Sequence, residues 1–293
     1  MTRLRLADGE VRAEIDPACG GAIASFYSVR EDERFDWLRP APLDGGVDSM
    51  ACFPLLPFCN RIRDGNFTCM GREITLPANA PPSPHALHGM GWQRPWTVLA
   101  HSGQAVRLQL EHPAEAWPWH FRATQEITLA AEGLVAQLEV ENLDTQPMPL
   151  GLGFHPFFPH RDSARIQVAT EAMWESNTEL LPTVLARPAV VDQLRQGVPA
   201  RDLLLDNNFV GWDRVAHIEF DDARALSMSA TDPLDFVTLY APPGAGFFCV
   251  EPVSNCTDWP NLMHLPLAER GGAILAPGAV SRASVRLAIL WDR

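Results

Sequence analysis

Lysine is missing from this chain of 293 residues, and all 23 of its basic side chains are arginine. Without a lysine amine, Schiff-base catalysis, covalent attachment of pyridoxal phosphate and a P-loop phosphate site are excluded. A GC-rich coding bias is the plain origin of such a composition. The six cysteines include no C-x-x-C pair, and the chain is too long for a small disulfide scaffold, so reduced and mostly buried thiols are expected. No G-x-S-x-G elbow marks a serine hydrolase. Apolar runs are short, each broken by proline, charge or glycine well before the ~18 residues of a membrane span. The opening MTRLRLADGEVRAEI lacks the apolar centre of a signal peptide, so a soluble, cytoplasmic protein is expected. Asn66-Phe67-Thr68 and Asn255-Cys256-Thr257 then carry no glycan. Basic runs are absent too, and the 36 acidic residues leave a net charge of −13, which argues against nucleic acid as a partner.

What is present is a chain with 46% hydrophobic and 20% charged residues, enough to bury a large core. Period-two alternation recurs at Val11–Ile15, Val106–Glu111, Gln125–Leu129, Leu134–Val140, Arg165–Val168, His217–Phe220 and Ser284–Leu290, the pattern of half-buried strands. Turn signals at Glu132-Gly133 and at Asp221–Arg224 predict hairpins. Helical period is weak: one short helix is expected over Ala189–Gln196 and one helical turn near Glu31–Leu38. The 26 prolines suit many connections better than long helices. The proline-rich segment Leu76–Pro84 is expected to be a surface loop, because strand-like pattern resumes after it. Without a βαβ rhythm, repeats or a linker, the expectation is an all-β chain, one large antiparallel β-sandwich filling residues 1–293 as a single domain.

Five places set polar side chains in apolar or glycine-rich surroundings. Arg61 follows the apolar run Phe53–Phe58 in Cys59-Asn60-Arg61-Ile62, and by itself reads as a surface or ion-paired residue. His85 and His88 enter the glycine-rich turn His88-Gly89-Met90-Gly91-Trp92. His155 lies in Gly153-Phe154-His155-Pro156-Phe157-Phe158, where a lone histidine by itself reads as a satisfied structural residue ahead of a catalytic one. Asp206 in Leu205-Asp206-Asn207-Asn208-Phe209 can begin an ordinary Asx turn. Glu251 closes the apolar strand Phe247-Phe248-Cys249-Val250-Glu251, where a carboxylate is costly without partners. His85, His88, His155 and Glu251 could be read as metal ligands, but no H-E-x-x-H or other tight ligand spacing joins them, and no metal is expected.

Taken jointly, NRIRDGNFTCMGREITLPAN, LHGMGW, GFHPFF, LDNNF, CVEPVSNCTDWPN and ILAPGAV follow in an order and spacing that resemble the aldose 1-epimerase (galactose mutarotase-like) family, over nearly the whole chain. The resemblance implies a β super-sandwich with a sugar-binding cleft, and an isomerase that interconverts α and β anomers of a free aldose without a cofactor. Ring opening of a cyclic hemiacetal needs one group to take the anomeric hydroxyl proton and another to protonate the ring oxygen. By similarity Glu251 is the base and His155 the acid. Arg61, His88 and Asp206 would hold sugar oxygens, with Asn60 beside them and Trp92 as an apolar wall. His85 matches less well than His88 and is a secondary candidate.

The acid motif departs from that of the galactose mutarotases proper, which leaves the acid in place and galactose as substrate open. A related branch acts on hexose 6-phosphates and needs a cationic cluster, for which Arg63, Arg72 and Arg94 are the candidates. A carbohydrate-binding protein without catalysis is the non-enzymatic alternative. A small-molecule sugar is the only partner implied.

Overall fold

The computed structural model describes residues 3–221 and 223–291. The chain is all-β and antiparallel, built on two large sheets with two short helices. Six of the seven alternating segments expected from sequence fall in a nine-stranded sheet whose middle is Phe121–Ala130, Gly133–Asn142 and Val280–Trp291. Their strict alternation, buried with exposed, arises because one face packs inward and the other meets water.

The second sheet has eleven strands, and through its middle run Cys52–Leu55, Gly153–Phe158, Phe248–Val253, Phe236–Ala241 and Leu205–Val210 in that order. Gly153–Phe158 and Phe248–Val253 are buried at every position. On one face Phe154, Phe158, Phe209, Leu239, Phe248 and Val250 join the core shared with the nine-stranded sheet, against Leu108, Ile127, Leu138 and Leu287. On the other face Phe53, Leu55, Trp92, Phe157, Cys249 and Trp259 form a second apolar cluster under the connecting loops. A strand packed on both faces keeps no period of two.

The helix forms over Ala189–Gln196 as expected, burying Val191 and Leu194 on one side. Near Glu31–Leu38 the expected helical turn is instead a hairpin. Arg30 pairs with Glu33 across a two-residue loop in which Glu31 and Asp32 both have positive φ, and Glu33–Asp36 is a strand. Glu132-Gly133 is displaced by one residue: the loop is Ala131-Glu132, while Gly133 is paired with both Ala130 and Ala288. A Cβ there would come within 2.0 Å of the Leu287 carbonyl oxygen, so the glycine serves close strand approach. Val215–Glu219 and Arg224–Ala230 pair as the expected hairpin, although Asp222 in its turn lies outside the described residues. All six cysteines are free, five of them buried and Cys19 half-buried. Leu76–Pro84 is an irregular segment, and among the described residues no helix is long and apolar enough to cross a membrane.

Candidate active site

Strand register brings the two proposed catalytic groups together across 96 residues of sequence. Gly153 pairs with Val253 and Phe157 with Cys249, which sets His155 across from Glu251. Both side chains point to the face opposite the shared core, and His155 Nε2 lies 3.3 Å from Glu251 Oε1. Glu251 sits inside the strand Phe248–Val253 instead of closing it, with Thr238 as its other cross-strand neighbour.

Burial governs the charge of this pair. Glu251 is 2% exposed, and loss of solvation, reinforced by the Asp206 charge, pushes its carboxyl well above the usual carboxylate range. Burial, with a smaller contribution from the positive charge of Arg39, pulls the His155 imidazole below its ordinary value. Across the 3.3 Å contact both shifts therefore run toward the uncharged forms, carboxyl and neutral imidazole. His155 Nδ1 is buried without a hydrogen-bond partner, so no hydrogen bond fixes that side of the ring.

Around the pair stand the sugar-holding candidates. Asp206, on the strand Leu205–Val210, accepts from Arg61 Nη2 at 3.3 Å, so it lies within a strand and does not open an Asx turn. Asn60 has φ +60 and uses its Oδ1 to accept from both the Arg61 backbone N–H and Arg61 Nη1, each at 2.9 Å, which aims the guanidinium at Asp206. Residues 88 and 89 both adopt left-handed conformations. A Cβ on Gly89 would meet the Leu56 carbonyl oxygen at 2.1 Å, so only glycine lets the turn close down there and present His88. His88 Nδ1 accepts the Asn60 N–H at 3.1 Å, which leaves its ring proton on Nε2. Burial, together with the nearby His155 and Arg61, keeps His88 uncharged. Trp92 stacks on Phe53 at 5.3 Å and spends its indole N–H on backbone carbonyls, so it offers the cleft an apolar wall.

Asn60, Arg61, His88, Trp92, His155, Asp206 and Glu251 all line one cleft of about 270 Å³. His85 does not: it is buried beneath the loop and accepts from the Asp64 backbone N–H. Arg63, Arg72 and Arg94 are also elsewhere, engaged with Asp258, the Trp119 ring and Glu115 respectively. Arg39, Asp48, Phe53, Leu87, Phe157, Tyr240 and Phe247 complete the cleft and were not among the sequence candidates. Arg39 and Asp48 lie in a stretch of loop and short 3-10 turn with no periodicity to single them out. A larger hollow of about 700 Å³, lined by Trp212, Phe236 and Leu267, holds the Arg214 ion pairs with Asp232 and Asp235 and no acid–base pair of the kind described.

Among the described residues one donor group has metal-ligand geometry: His155, Cys249 and Glu251 each place an atom within 4.8 Å of the others. Cys249 stands in the group where sequence had offered His85 and His88, while His155 and Glu251 remain. Burial holds both the Cys249 thiol and the Glu251 carboxyl toward their protonated forms, so an ion would have to displace two protons to bind there.

Comparison with known proteins agrees over the full length. The family described as "Aldose 1-epimerase" matches residues 2–288. The uncharacterized protein YphB of Escherichia coli K12 is 31% identical over 302 aligned residues, covering 99% of this chain and 100% of that one. A crystal structure from the same organism, described provisionally as an aldose 1-epimerase, superposes with a TM-score of 0.89 at 30% identity, covering 99% of each chain. A galactose mutarotase-like protein from Clostridium acetobutylicum shares the fold with a TM-score of 0.87 at 20% identity, over 98% of this chain and 94% of its own.

Proposed function

This chain belongs to the aldose 1-epimerase family, and on that premise we propose that it interconverts the anomers of an unphosphorylated aldose, with Glu251 as base and His155 as acid and no cofactor. The observation that carries the reading is the buried His155–Glu251 contact of 3.3 Å in a cleft whose other polar groups, Arg61, His88 and Asp206, suit a ligand presenting many hydroxyls.

The chemistry runs as follows. Glu251 takes the proton from O1, the bond from C1 to O5 breaks, C1 becomes a carbonyl, and His155 delivers a proton to O5. Rotation about C1–C2 presents the other face, and the ring recloses with the two proton transfers reversed. Midway, Glu251 holds the proton and His155 is neutral. That is the state burial favours in the protein by itself. The pair is therefore set for ring closure of the open aldehyde. Ring opening begins once a proton has moved from Glu251 to His155, and sugar hydroxyls donating to Glu251 supply the hydrogen bonds that favour its carboxylate. A sugar must also part the direct contact between the two residues, so binding and activation are coupled.

The test is a panel of free aldoses and their 6-phosphates followed by polarimetry or NMR exchange, with the spontaneous rate subtracted. Acceleration of at least one free aldose supports the reading. A protein that binds sugars and accelerates none of them is the non-catalytic carbohydrate-binding alternative.

A further inference from the structure

The imidazole of His155 is held by a stack. Phe157, two residues along the same strand, lies parallel to it, with ring centroids 4.5 Å apart and planes 10° from each other. The Arg39 guanidinium carbon sits 3.9 Å from the Phe157 centroid. Two groups at those distances cannot share one face of a benzene ring, so Phe157 is the middle layer between imidazole and guanidinium. Arg39 is in turn anchored: Nη2 donates to the carbonyls of Asp48 at 2.8 Å and Met50 at 3.1 Å, and Phe247 offers a second aromatic face at 4.6 Å.

Resting on the catalytic assignment above, we infer that Arg39 is a positioning residue for His155, acting through Phe157 to fix the plane of the imidazole and to keep it uncharged. Two independent features support this. His155 Nδ1 has no hydrogen-bond partner, so on that side the ring lacks the usual anchor of a catalytic histidine and its aromatic contacts add to the Nε2–Glu251 contact in orienting it. Phe53, at 4.8 Å, flanks the ring as well, but it is tilted by 39°. The second feature is electrostatic. A benzene ring whose face is occupied by one cation is polarised toward it, and its opposite face attracts a second cation less. An imidazolium at His155 would be that second cation.

The other groups around His155 differ in kind. Glu251, 3.3 Å away across the strand pair, is pushed by burial toward its protonated form, and His88 meets His155 edge-on at 5.3 Å and is itself held toward its neutral form. Arg61 is matched by Asp206, and the Cys52 and Cys249 thiols stay protonated. Asp48 lines the same cleft and is exposed to solvent, and Tyr240 is held in its neutral form by burial. Arg39 is thus the cation stacked over the histidine's own aromatic partner.

Arg39→Met keeps length and removes charge, while Arg39→Lys keeps charge and loses the planar fork. The His155 ring is followed directly by ¹⁵N NMR titration, which needs no substrate, and the acidic limb of the kcat profile is followed in parallel. In Arg39→Met the midpoint of His155 protonation is expected to move up by roughly half a pH unit or more, with the acidic limb following it. Arg39→Lys should return the midpoint toward wild type. In a Phe157→Leu background, Arg39→Met should add little further shift, because the middle layer is gone. An unmoved midpoint in a folded Arg39→Met protein overturns the inference, as does an effect confined to KM for anionic sugars, which would make Arg39 a substrate contact. Should the midpoint move in a protein that accelerates no sugar, the stack is upheld and the catalytic reading fails.

Discussion

Glu251 and Asp206 occupy strands separated by a single intervening strand, Phe236–Ala241, and the charge of Asp206 helps to hold Glu251 protonated. Asp206 itself is matched by Arg61. On the proposed reading, one carboxyl serves as a binding acceptor and the other as a proton carrier, a division that environment would set.

Replacing Glu251 with glutamine keeps the shape and removes the titrating oxygen. Catalysed anomer exchange should fall by about 10²-fold or more, with sugar affinity largely kept, as measured by kcat and by calorimetric titration. Near wild-type kcat would remove Glu251 from the mechanism. The same substitution should raise Tm at pH 7 by roughly 2 °C or more, because burial disfavours the carboxylate in the fold and the amide relieves that cost. The stability that Glu251 supplies is complete below its unfolded value and declines as pH rises through its elevated folded value.

His155→Asn should lose turnover to a similar extent. The double variant with Glu251→Gln should be little worse than either single variant, since removing one end of a proton relay disables the other. Additive losses would mean that the two residues act in separate steps.

Three buried histidines, His88, His112 and His155, have their protonation pulled below the ordinary histidine value chiefly by burial. Each favours the neutral form in the fold. Their contribution is present above about pH 6.5 and is lost as pH falls below it, because the unfolded chain then binds protons that the fold does not. Urea midpoints should decline between about pH 6.5 and 5, and less steeply in His155→Asn. A flat profile over that range would contradict the assignment.

A free aldose is expected to give a higher kcat/KM than its 6-phosphate, because Arg63, Arg72 and Arg94 all lie outside the cleft, and the two arginines inside it are engaged, Arg61 with Asp206 and Arg39 with the carbonyls of Asp48 and Met50. Activity should also survive EDTA, since a carboxyl and an imidazole both reach the reacting centre. Preference for the phosphate, or loss of rate on chelation with recovery on adding metal, would each overturn one half of this expectation.

Alanine at Gly89 would bring a Cβ to 2.1 Å from the Leu56 carbonyl at a φ of +69. Destabilisation of more than about 1 kcal/mol is expected, with a raised KM as His88 shifts. Thermal melting and kinetics on the same preparation separate the two effects.

The nine-stranded sheet was legible in the sequence and the middle of the eleven-stranded one was not, for a reason visible in particular residues. Arg165–Val168 and Leu134–Val140 alternate because one side of each meets water. Gly153–Phe158 and Phe248–Val253 are buried on both sides and show no period, so only the oddity of His155 and Glu251 among apolar neighbours pointed to them. The gathering of Arg61, His88 and Asp206 was legible from the joint motif pattern. Arg39 was not, because its role depends on a stack formed by residues far apart in the chain. Glu31 and Asp32 misled the helical reading, since a two-residue loop of positive φ leaves little trace in hydrophobic pattern.

The burial of the two central strands on both faces has a consequence for how this site can change. Amides there can meet solvent only when the sheet opens globally, so hydrogen exchange at the non-proline positions of 153–158 and 248–253 should be among the slowest in the molecule. Asn60 and His88 hang instead from loops that can open locally. On the proposed reading, the proton-transferring pair sits on doubly buried strands, whereas part of the sugar-holding set, Asn60 and His88, comes from connecting segments. Loop replacement can then alter which sugar is accepted while the distance between the proton-transferring atoms is conserved.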